Sequence, residues 1–362
     1  MSKYIYLDTA ATASSSKFEV ADNFANPNST HAAGRDSFEA LEHARETMMT
    51  AIGAKRPSEI VFTSGATEAN NMAIFGIARA TRGRVAVCAI EHESSLMPAQ
   101  ELKNEGFDVD ALSVNKNGLL KNSNFNKDTK LVIVQHANTE IGTIQNIKSI
   151  AEEAHKVGAY IHSDMVGSFG RIPVNVEDMG VDSASFSGHK IGTPKGIGML
   201  YLRSNTPFKP LIYGGGQERG LRGGTQNVAL AVSQEKAASY ALKDMAELES
   251  HYKKMKQYLL DEISNIEGVR STINNDYSLS NICHLVFKNK ESETLILQYG
   301  KYGIVVSGGP ACSSDEKSPS HVLREIGVPQ DEIYGAIRLS FGPDTTIDDI
   351  KAFIKATKEI QK

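Results

Sequence analysis

EIVFTSGATEANNMAIFGIARA, residues 59–80, decides the fold. Its first part, EIVFTSG (59–65), is β-branched and apolar up to Thr63-Ser64-Gly65, and reads as a strand ending in a turn. The remainder, 66–80, spaces its apolar residues at helical intervals. The unit then recurs. RVAVCAI (84–90), DVDALSV (108–114), KLVIVQHA (130–137), AYIHSDM (159–165), VDSASFSG (181–188) and GIGMLYLR (196–203) read as strands. SSLMPAQELKNEG (94–106) and NIKSIAEEAHKVG (146–158) read as helices between them. Near-continuous apolar strands alternating with helices predict a largely parallel sheet covered on both faces, which binds ligands at the carboxyl ends of its strands.

Beyond this region a long helical stretch is expected over about 226–265. NICHLVF (281–287), SETLILQYGKYG (292–303), IVVSGG (304–309), AIRLSF (336–341) and a terminal helix (346–361) then suggest a smaller α+β domain. The chain divides on this reading into a large domain, 1–245, and a small one, 246–362, with the extreme N-terminus expected against the small domain. There is no internal repeat and no low-complexity segment. The glycine cluster YGGGQERGLRGGT (213–225) is too short and too charged for a linker, and reads as a loop with a task.

The bulk properties exclude several classes. The chain has 362 residues with 40% hydrophobic, 23% charged and a net charge of −4. No basic stripe points to nucleic acid, and no apolar run reaches the roughly 18 residues of a membrane span. The start, MSKYIYLDTAAT, lacks the layout of a signal peptide. Three cysteines (Cys88, Cys283, Cys312), none in a CxxC pair, argue against a disulfide framework or a metal site. A reducing cytoplasm is the expected setting. Cys88 and Cys283 lie in apolar, β-branched runs and read as core thiols, whereas Cys312 lies in the glycine- and serine-rich SGGPACSSDEKSPSHVL.

Polar residues gather at the predicted strand ends. Gly65 allows a tight turn, the exposed N–H groups of the following helix make an anion site, and Thr67 adds a hydroxyl, although an N-cap alone would look the same. His92 follows a strand, Asp164 ends another, and SGHK (187–190) ends a third. A long cationic side chain such as Lys190 at the end of a small, apolar run is costly unless it has chemistry to do.

FTSGATEANN, IEH, H-x-D, SFSGHK-x(3)-PKGIG, GGGQERGLRGGT and the late GGPACSS strongly resemble the cysteine desulfurases. These are pyridoxal 5'-phosphate (PLP) enzymes of fold type I in the class V aminotransferase group. The resemblance runs in order from YLDTAAT (6–12) to IRLSFG (337–342). It implies an α/β fold with a mainly parallel seven-stranded sheet between helices and a smaller α+β C-terminal domain. It implies that Lys190 forms the Schiff base with PLP and carries a proton at Cα, that Asp164 pairs with the pyridinium nitrogen, and that His92 stacks on the ring. Gly65, Ala66, Thr67, Ser187 and His189 match cofactor contacts, mostly to the phosphate, and Gly188 is expected to leave room for close approach. Thr225 matches a phosphate contact given by the other subunit of a homodimer. Arg338 matches the arginine that holds the substrate carboxylate.

The resemblance further implies that Cys312 attacks the sulfur of L-cysteine and carries it as a persulfide, leaving alanine. Pro319-Ser320-His321 follows the long-loop subgroup, which delivers sulfur to iron–sulfur cluster scaffolds and to tRNA thiolation. Three positions depart from the family. Asn138-Thr139-Glu140 stands where N-N-E is usual, Asp164-Met165-Val166-Gly167 stands where D-A-T-Q or D-A-A-Q is usual, and Pro310 stands where Ser is common. Both amides that would face the phenolic oxygen of PLP are thus replaced, by Thr139 and Gly167. Two further readings fit the same residues: a related class V enzyme (selenocysteine or cysteine-sulfinate lyase, or an aminotransferase), and a degenerate PLP-fold partner protein.

Overall fold

The computed structural model describes residues 4–14, 20, 22, 24–273, 275–308 and 319–362. In chain order, strand β1 (Ile5–Tyr6) precedes helix α1 (Ala32–Ala51), strand β2 (Ile60–Thr63) and helix α2 (Ala66–Thr81). Then come β3 (Arg84–Cys88), α3 (Glu93–Asn104), β4 (Val109–Leu112), β5 (Thr129–Ile133), α4 (Ile147–Lys156), β6 (Tyr160–Asp164), β7 (Ser183–Ser187) and β8 (Gly198–Leu202). Helices α5 (Val228–Lys243) and α6 (Met245–Ile263) lead to β9 (Val269–Ser271), β10 (Ile282–Phe287), α7 (Ser292–Lys301) and β11 (Ile304–Val305). The remaining elements are α8 (His321–Glu325), α9 (Gln330–Ile333), β12 (Ala336–Ser340) and α10 (Ile347–Ile360).

Seven strands form one sheet in the order β2-β8-β7-β6-β5-β3-β4. From β7 to β4 every pairing is parallel, and β8 runs against both of its neighbours, β7 and β2. β2, β3, β5, β6 and β7 therefore point the same way and end at one edge. Side chains alternate between two cores, as the pleat dictates. Val61, Val85, Val87, Leu131, Ile133 and Leu200 face α2 and α3, while Phe62, Ala86, Cys88, Val132, Phe186 and Met199 join α1, α4 and α5 on the other side. Both faces being dry explains why these strands read as continuous apolar runs.

The expected single helix over 226–265 is two helices, α5 and α6, meeting at Asp244. Asp is a poor interior residue because its carboxylate competes for local backbone donors. The break also changes the core served. Ala231, Ala237 and Ala238 of α5 pack under the large sheet, whereas Tyr252, Met255 and Leu259 of α6 pack with β9, β10, β12 and α10. The latter strands form an antiparallel sheet in the order β12-β10-β9. β1 pairs in parallel with β11, and Leu7 joins this second core.

The loop after β8 is pinned from below. Arg45 of α1 makes a bidentate pair with Glu218, Nη1 to Oε2 at 2.7 Å and Nη2 to Oε1 at 2.9 Å, with both side chains almost wholly buried. The Phe62 N–H donates to the same carboxylate at 3.1 Å. This holds Glu218 and Arg219 in left-handed backbone, φ 47° and 59°, at a cost of roughly 1–2 kcal/mol for each non-glycine residue. Glu218→Ala takes the bidentate partner from a buried guanidinium, which keeps only Glu42 and the Ile60 carbonyl, and orphans a backbone donor, and about 3–5 kcal/mol of stability is expected to go. Loss of the solvent-facing partner in Glu42→Ala is expected to cost under about 1 kcal/mol. Urea unfolding of the two variants checks this, and equal costs would show that the buried pair is not the anchor.

Candidate active site

The ends of β2, β3, β6 and β7 open into a cavity of about 450 Å³, within the usual range for a small-molecule site. Gly65, Ala66, Thr67, His92, Asp164, Ser187, His189, Lys190 and Arg338 all line it. Positions 65 to 190 thus converge because the parallel strands deliver their ends to one edge, and Arg338 joins them from β12 of the smaller sheet. Thr225 is exposed and is not part of this wall. Cys312 and Pro310 lie outside the described residues. Among the described residues, no group of three or more His, Cys, Asp or Glu could hold a metal, and no helix is long and apolar enough to cross a membrane.

Asp164 is 7% exposed, and its carboxylate is held on both oxygens. The Val166 N–H donates to Oδ1 at 2.9 Å, and Asn70 Nδ2 of α2 donates to Oδ2 at 2.8 Å. Asn70 also donates to Ser94 Oγ at 2.8 Å, and its Oδ1 accepts from His162 Nε2 at 2.9 Å. His162 is fully buried, and burial pushes its pKa down to about 3, so it is neutral and its proton is fixed on Nε2. Its Nδ1 is left to accept from Ser183 Oγ at 2.9 Å. Asn70, which fixes the Asp164 carboxylate, is a residue that sequence reading missed. The signal was an amide on the helix face shared with Ala66, Ala73 and Ile77, since a polar group on an inward face needs partners.

His92 caps α3. The Ser94 N–H donates to its Nδ1 at 3.1 Å, which leaves Nε2 to carry the proton of the neutral ring. Lys190 sits in the single turn after β7, and its Nζ donates to the carbonyl oxygens of Ala10 and Ala11. The same N-terminal stretch holds the histidine beside it: Ala13 N–H donates to His189 O at 3.0 Å, and His189 Nδ1 lies 3.2 Å from Thr12 Oγ1. Burial, reinforced by Lys190 and Lys195, pushes His189 down to about 4. YLDTAAT therefore clasps the lysine turn. A Cβ on Gly188 would lie 2.4 Å from Thr193 Oγ1 and 2.8 Å from Ile197 Cγ2, so that glycine is required by packing within the turn and not by room for a ligand.

Arg338 of β12 is 3% exposed. Its Nη2 donates to Asp8 Oδ1 at 2.7 Å and its Nη1 to Thr139 O at 3.0 Å, which fixes the plane of the fork toward the cavity. Next to Thr139, Glu140 is buried at 4% exposure. Burial pushes its carboxyl up to about 7, with the Ser320 hydroxyl and Arg338 only partly pulling it back. Glu91 is fully buried as well, and burial drives its pKa far up although it accepts from the Gln135 N–H. His321, the first residue of α8, reaches over to Glu91 O through Nε2 at 3.0 Å. Neither glutamate had been singled out, because burial is not visible in the residue itself.

The Glu140 value carries a pH dependence. The folded-state pKa of about 7 exceeds the ordinary value of 4.5, so the folded protein holds this proton more tightly than the unfolded chain. The resulting stability is complete below the unfolded value and is lost as pH rises through the folded one. Between about pH 5 and pH 8 the wild type is expected to lose roughly 2 kcal/mol more than Glu140→Gln, read by urea unfolding at each pH. Parallel profiles would mean that the carboxyl titrates normally.

A family model for class-V aminotransferases matches residues 5–353. The chain is 38% identical to a protein named cysteine desulfurase IscS from Dictyoglomus turgidum, an alignment covering 99% of this chain and 95% of that one. A solved structure titled NifS-like protein superposes with a TM-score of 0.90 at 34% identity, covering 99% of both chains. Another, titled SspA in complex with cysteine, gives 0.79 at 32% identity, covering 94% of this chain and 99% of that one. These relatives share the α/β architecture with the mainly parallel seven-stranded sheet, and the family depends on pyridoxal 5'-phosphate. The chain belongs to the class-V aminotransferase family, among its cysteine desulfurases.

Proposed function

We propose that this chain binds PLP in the large cavity and converts L-cysteine to L-alanine, retaining the sulfur as a persulfide on Cys312. The observation that carries the reading is the convergence of Lys190, Asp164, His92 and Arg338 on one cavity wall. The donor set fits the cofactor: a buried carboxylate for the ring nitrogen, a lysine amine for the aldehyde carbon, and the first turn of α2 with Thr67, Ser187 and His189 for a phosphate. At Gly65 a Cβ would meet nothing within 4 Å, so the opening of α2 is clear for an anion to approach its N–H groups. When bound, PLP supplies the electron sink for the bond broken at the substrate's Cα.

Asp164, held by Asn70 and Val166, keeps a negative charge at the ring nitrogen. His92 presents an imidazole whose ring is oriented by its cap on α3. Arg338 receives the substrate carboxylate, and its grip on Asp8 and Thr139 O restricts that carboxylate to one orientation. Lys190 takes the Cα proton at Nζ, with the Ala10 and Ala11 carbonyls positioned to steady the ammonium. The Cys312 thiolate attacks the substrate sulfur: an S–S bond forms, the C–S bond breaks, and the carbon takes up the proton that the thiol gave up. One cysteine and one enzyme thiol thus yield one alanine and one persulfide, with no outside oxidant or reductant.

One feature extends the reading to a second copy of the chain. The exposed Thr225 ends a loop anchored by Arg45–Glu218, and it serves the cavity of a second copy in a homodimer. The sulfur then passes to an acceptor of the iron–sulfur scaffold or thiolation type. Residues 1–245 and 246–362 act as the two domains, the second carrying the Cys312 segment.

The test is incubation of the PLP-loaded protein with cysteine, followed by alanine quantitation and mass spectrometry of the Cys312 peptide. Wild type is expected to give alanine and one added sulfur on Cys312. Lys190→Ala is expected to lower the rate by about 10²- to 10⁴-fold or more. Cys312→Ser is expected to keep the cofactor's absorption band and lose the persulfide. Undiminished release of sulfur by Cys312→Ser in the presence of a free thiol would replace this reading with a lyase.

A further inference from the structure

The smaller sheet has two different faces. Leu285, Phe287 and Leu339 pack into its own core, while Val286 and Ala336, on the alternate face, join the core of the large sheet. His284 and Arg338 stand opposite each other in the β10–β12 register and share that second face. An imidazole and a guanidinium are thus carried against the large sheet's side, where the turn after β5 meets them with Glu140. Asn138 holds that turn: its Oδ1 accepts from the Glu140 N–H at 2.8 Å and from the Ile141 N–H at 2.9 Å.

Three buried atoms of this cluster have no hydrogen-bond partner: Glu140 Oε1, His284 Nε2 and Arg338 Nε. Glu140 Oε1 and His284 Nε2 lie 3.9 Å apart, with both side chains almost wholly buried. The Thr272 hydroxyl donates to His284 O at 3.2 Å. The ring Nδ1, 2.6 Å from that hydroxyl oxygen, therefore carries the ring proton and leaves Nε2 an acceptor. Burial, and then Arg338, pushes the imidazole down to about 3, so it is neutral. The donor that faces Nε2 is a protonated Glu140, and a shift of about 1 Å brings the two into hydrogen-bond range.

Counting charges shows what that proton does. Glu140 and Arg338 both line the large cavity. Arg338 is already paired with Asp8 at 2.7 Å, so the two fixed charges at that end cancel. The other groups facing Glu140 are the neutral His284 from β10 and the hydroxyl of Ser320, which caps α8; His321 beside it is turned to Glu91 O. An ionised Glu140 makes that end net negative and opposes an incoming anion, whereas a protonated Glu140 leaves the charge of Arg338 to the ligand. We propose that a carboxylate bound at Arg338 draws a proton onto Glu140, seated against His284 Nε2, so that ligand and proton enter this end of the cavity together. This rests on the reading of Arg338 as the carboxylate receptor given above. The coupling is reciprocal: the ligand tightens the hold on the proton by the factor by which the proton tightens the ligand. Burial already places the Glu140 carboxyl at about 7, so the exchange falls in the neutral range.

The experiment is calorimetric titration of the PLP-loaded protein with propionate, which carries a carboxylate and no amine to react at the cofactor. Titrations at pH 7 in two buffers of different ionisation enthalpy count the protons taken up. Wild type is expected to take up roughly 0.4 proton per propionate, and to bind it roughly five- to tenfold more tightly at pH 6 than at pH 8.5. Glu140→Gln, neutral throughout, is expected to take up under about 0.1 proton and to vary less than about twofold over that range. His284→Leu removes the acceptor of the protonated carboxyl and is expected to move the fall in affinity about half a pH unit lower. Wild-type binding without proton uptake overturns this inference alone, and that count stands whether or not Glu140→Gln folds. Uptake undiminished in folded Glu140→Gln also overturns it, because another group then takes the proton. An unmoved fall in folded His284→Leu overturns the seat at His284. Propionate that fails to bind wild type, or binds Arg338→Leu equally well, overturns the carboxylate reading of Arg338 and this inference with it.

Discussion

A sheet dry on both faces can meet water only at its strand ends, and this constraint arranges everything else. Val61 and Phe62, or Val85 and Ala86, face opposite cores one residue apart, so no charged group fits along their length. Thr63, Asp164 and Ser187 are the last residues of β2, β6 and β7, where the chain leaves the dry layers. Because β2, β3, β5, β6 and β7 run in one direction, those points fall on one edge. The site is the sum of these endings, with Arg338 brought in from the smaller sheet.

Asp164 shows how a charge is kept at such an edge. Its two oxygens are satisfied by one backbone N–H and one amide, and the amide is itself fixed by a neutral histidine and a serine. Every member of the chain from Ser183 through His162 and Asn70 to Asp164 has a partner, which is what allows a polar network to be rigid in a low-dielectric setting. The carboxylate therefore enters the cavity preorganised. Glu140 and Glu91 illustrate the opposite case, in which burial is only partly offset and the carboxyl holds its proton to higher pH than it would in water.

Much of this was legible in the residues. The alternation of EIVFTSG, RVAVCAI and AYIHSDM with helical runs gave the sheet, and the polar endings gave His92, Asp164 and Lys190. What escaped reading was long-range pairing. Asp8 and Arg338 are 330 positions apart, and nothing in either stretch names the other. Asn70 looked like one more helix residue because its partners come from two other elements, α3 and β6. The junction at Asp244 was hidden because the sequence on both sides is helical, and only the change of core explains the break.

The N-terminal stretch joins these parts into one device. Ile5 and Tyr6 pair with β11, and Leu7 sits in the second core, so the start of the segment is fixed to the smaller sheet. Asp8 then grips Arg338, Ala10 and Ala11 receive the Lys190 amine, and Thr12 lies against His189. Within eight residues, one segment contacts the proposed carboxylate-binding arginine from the small sheet and the lysine turn from the large one. A displacement of either sheet would have to break hydrogen bonds at Lys190 or at Arg338. The separation of those two groups is therefore tied to one short run of covalent chain as well as to the softer packing between the two cores.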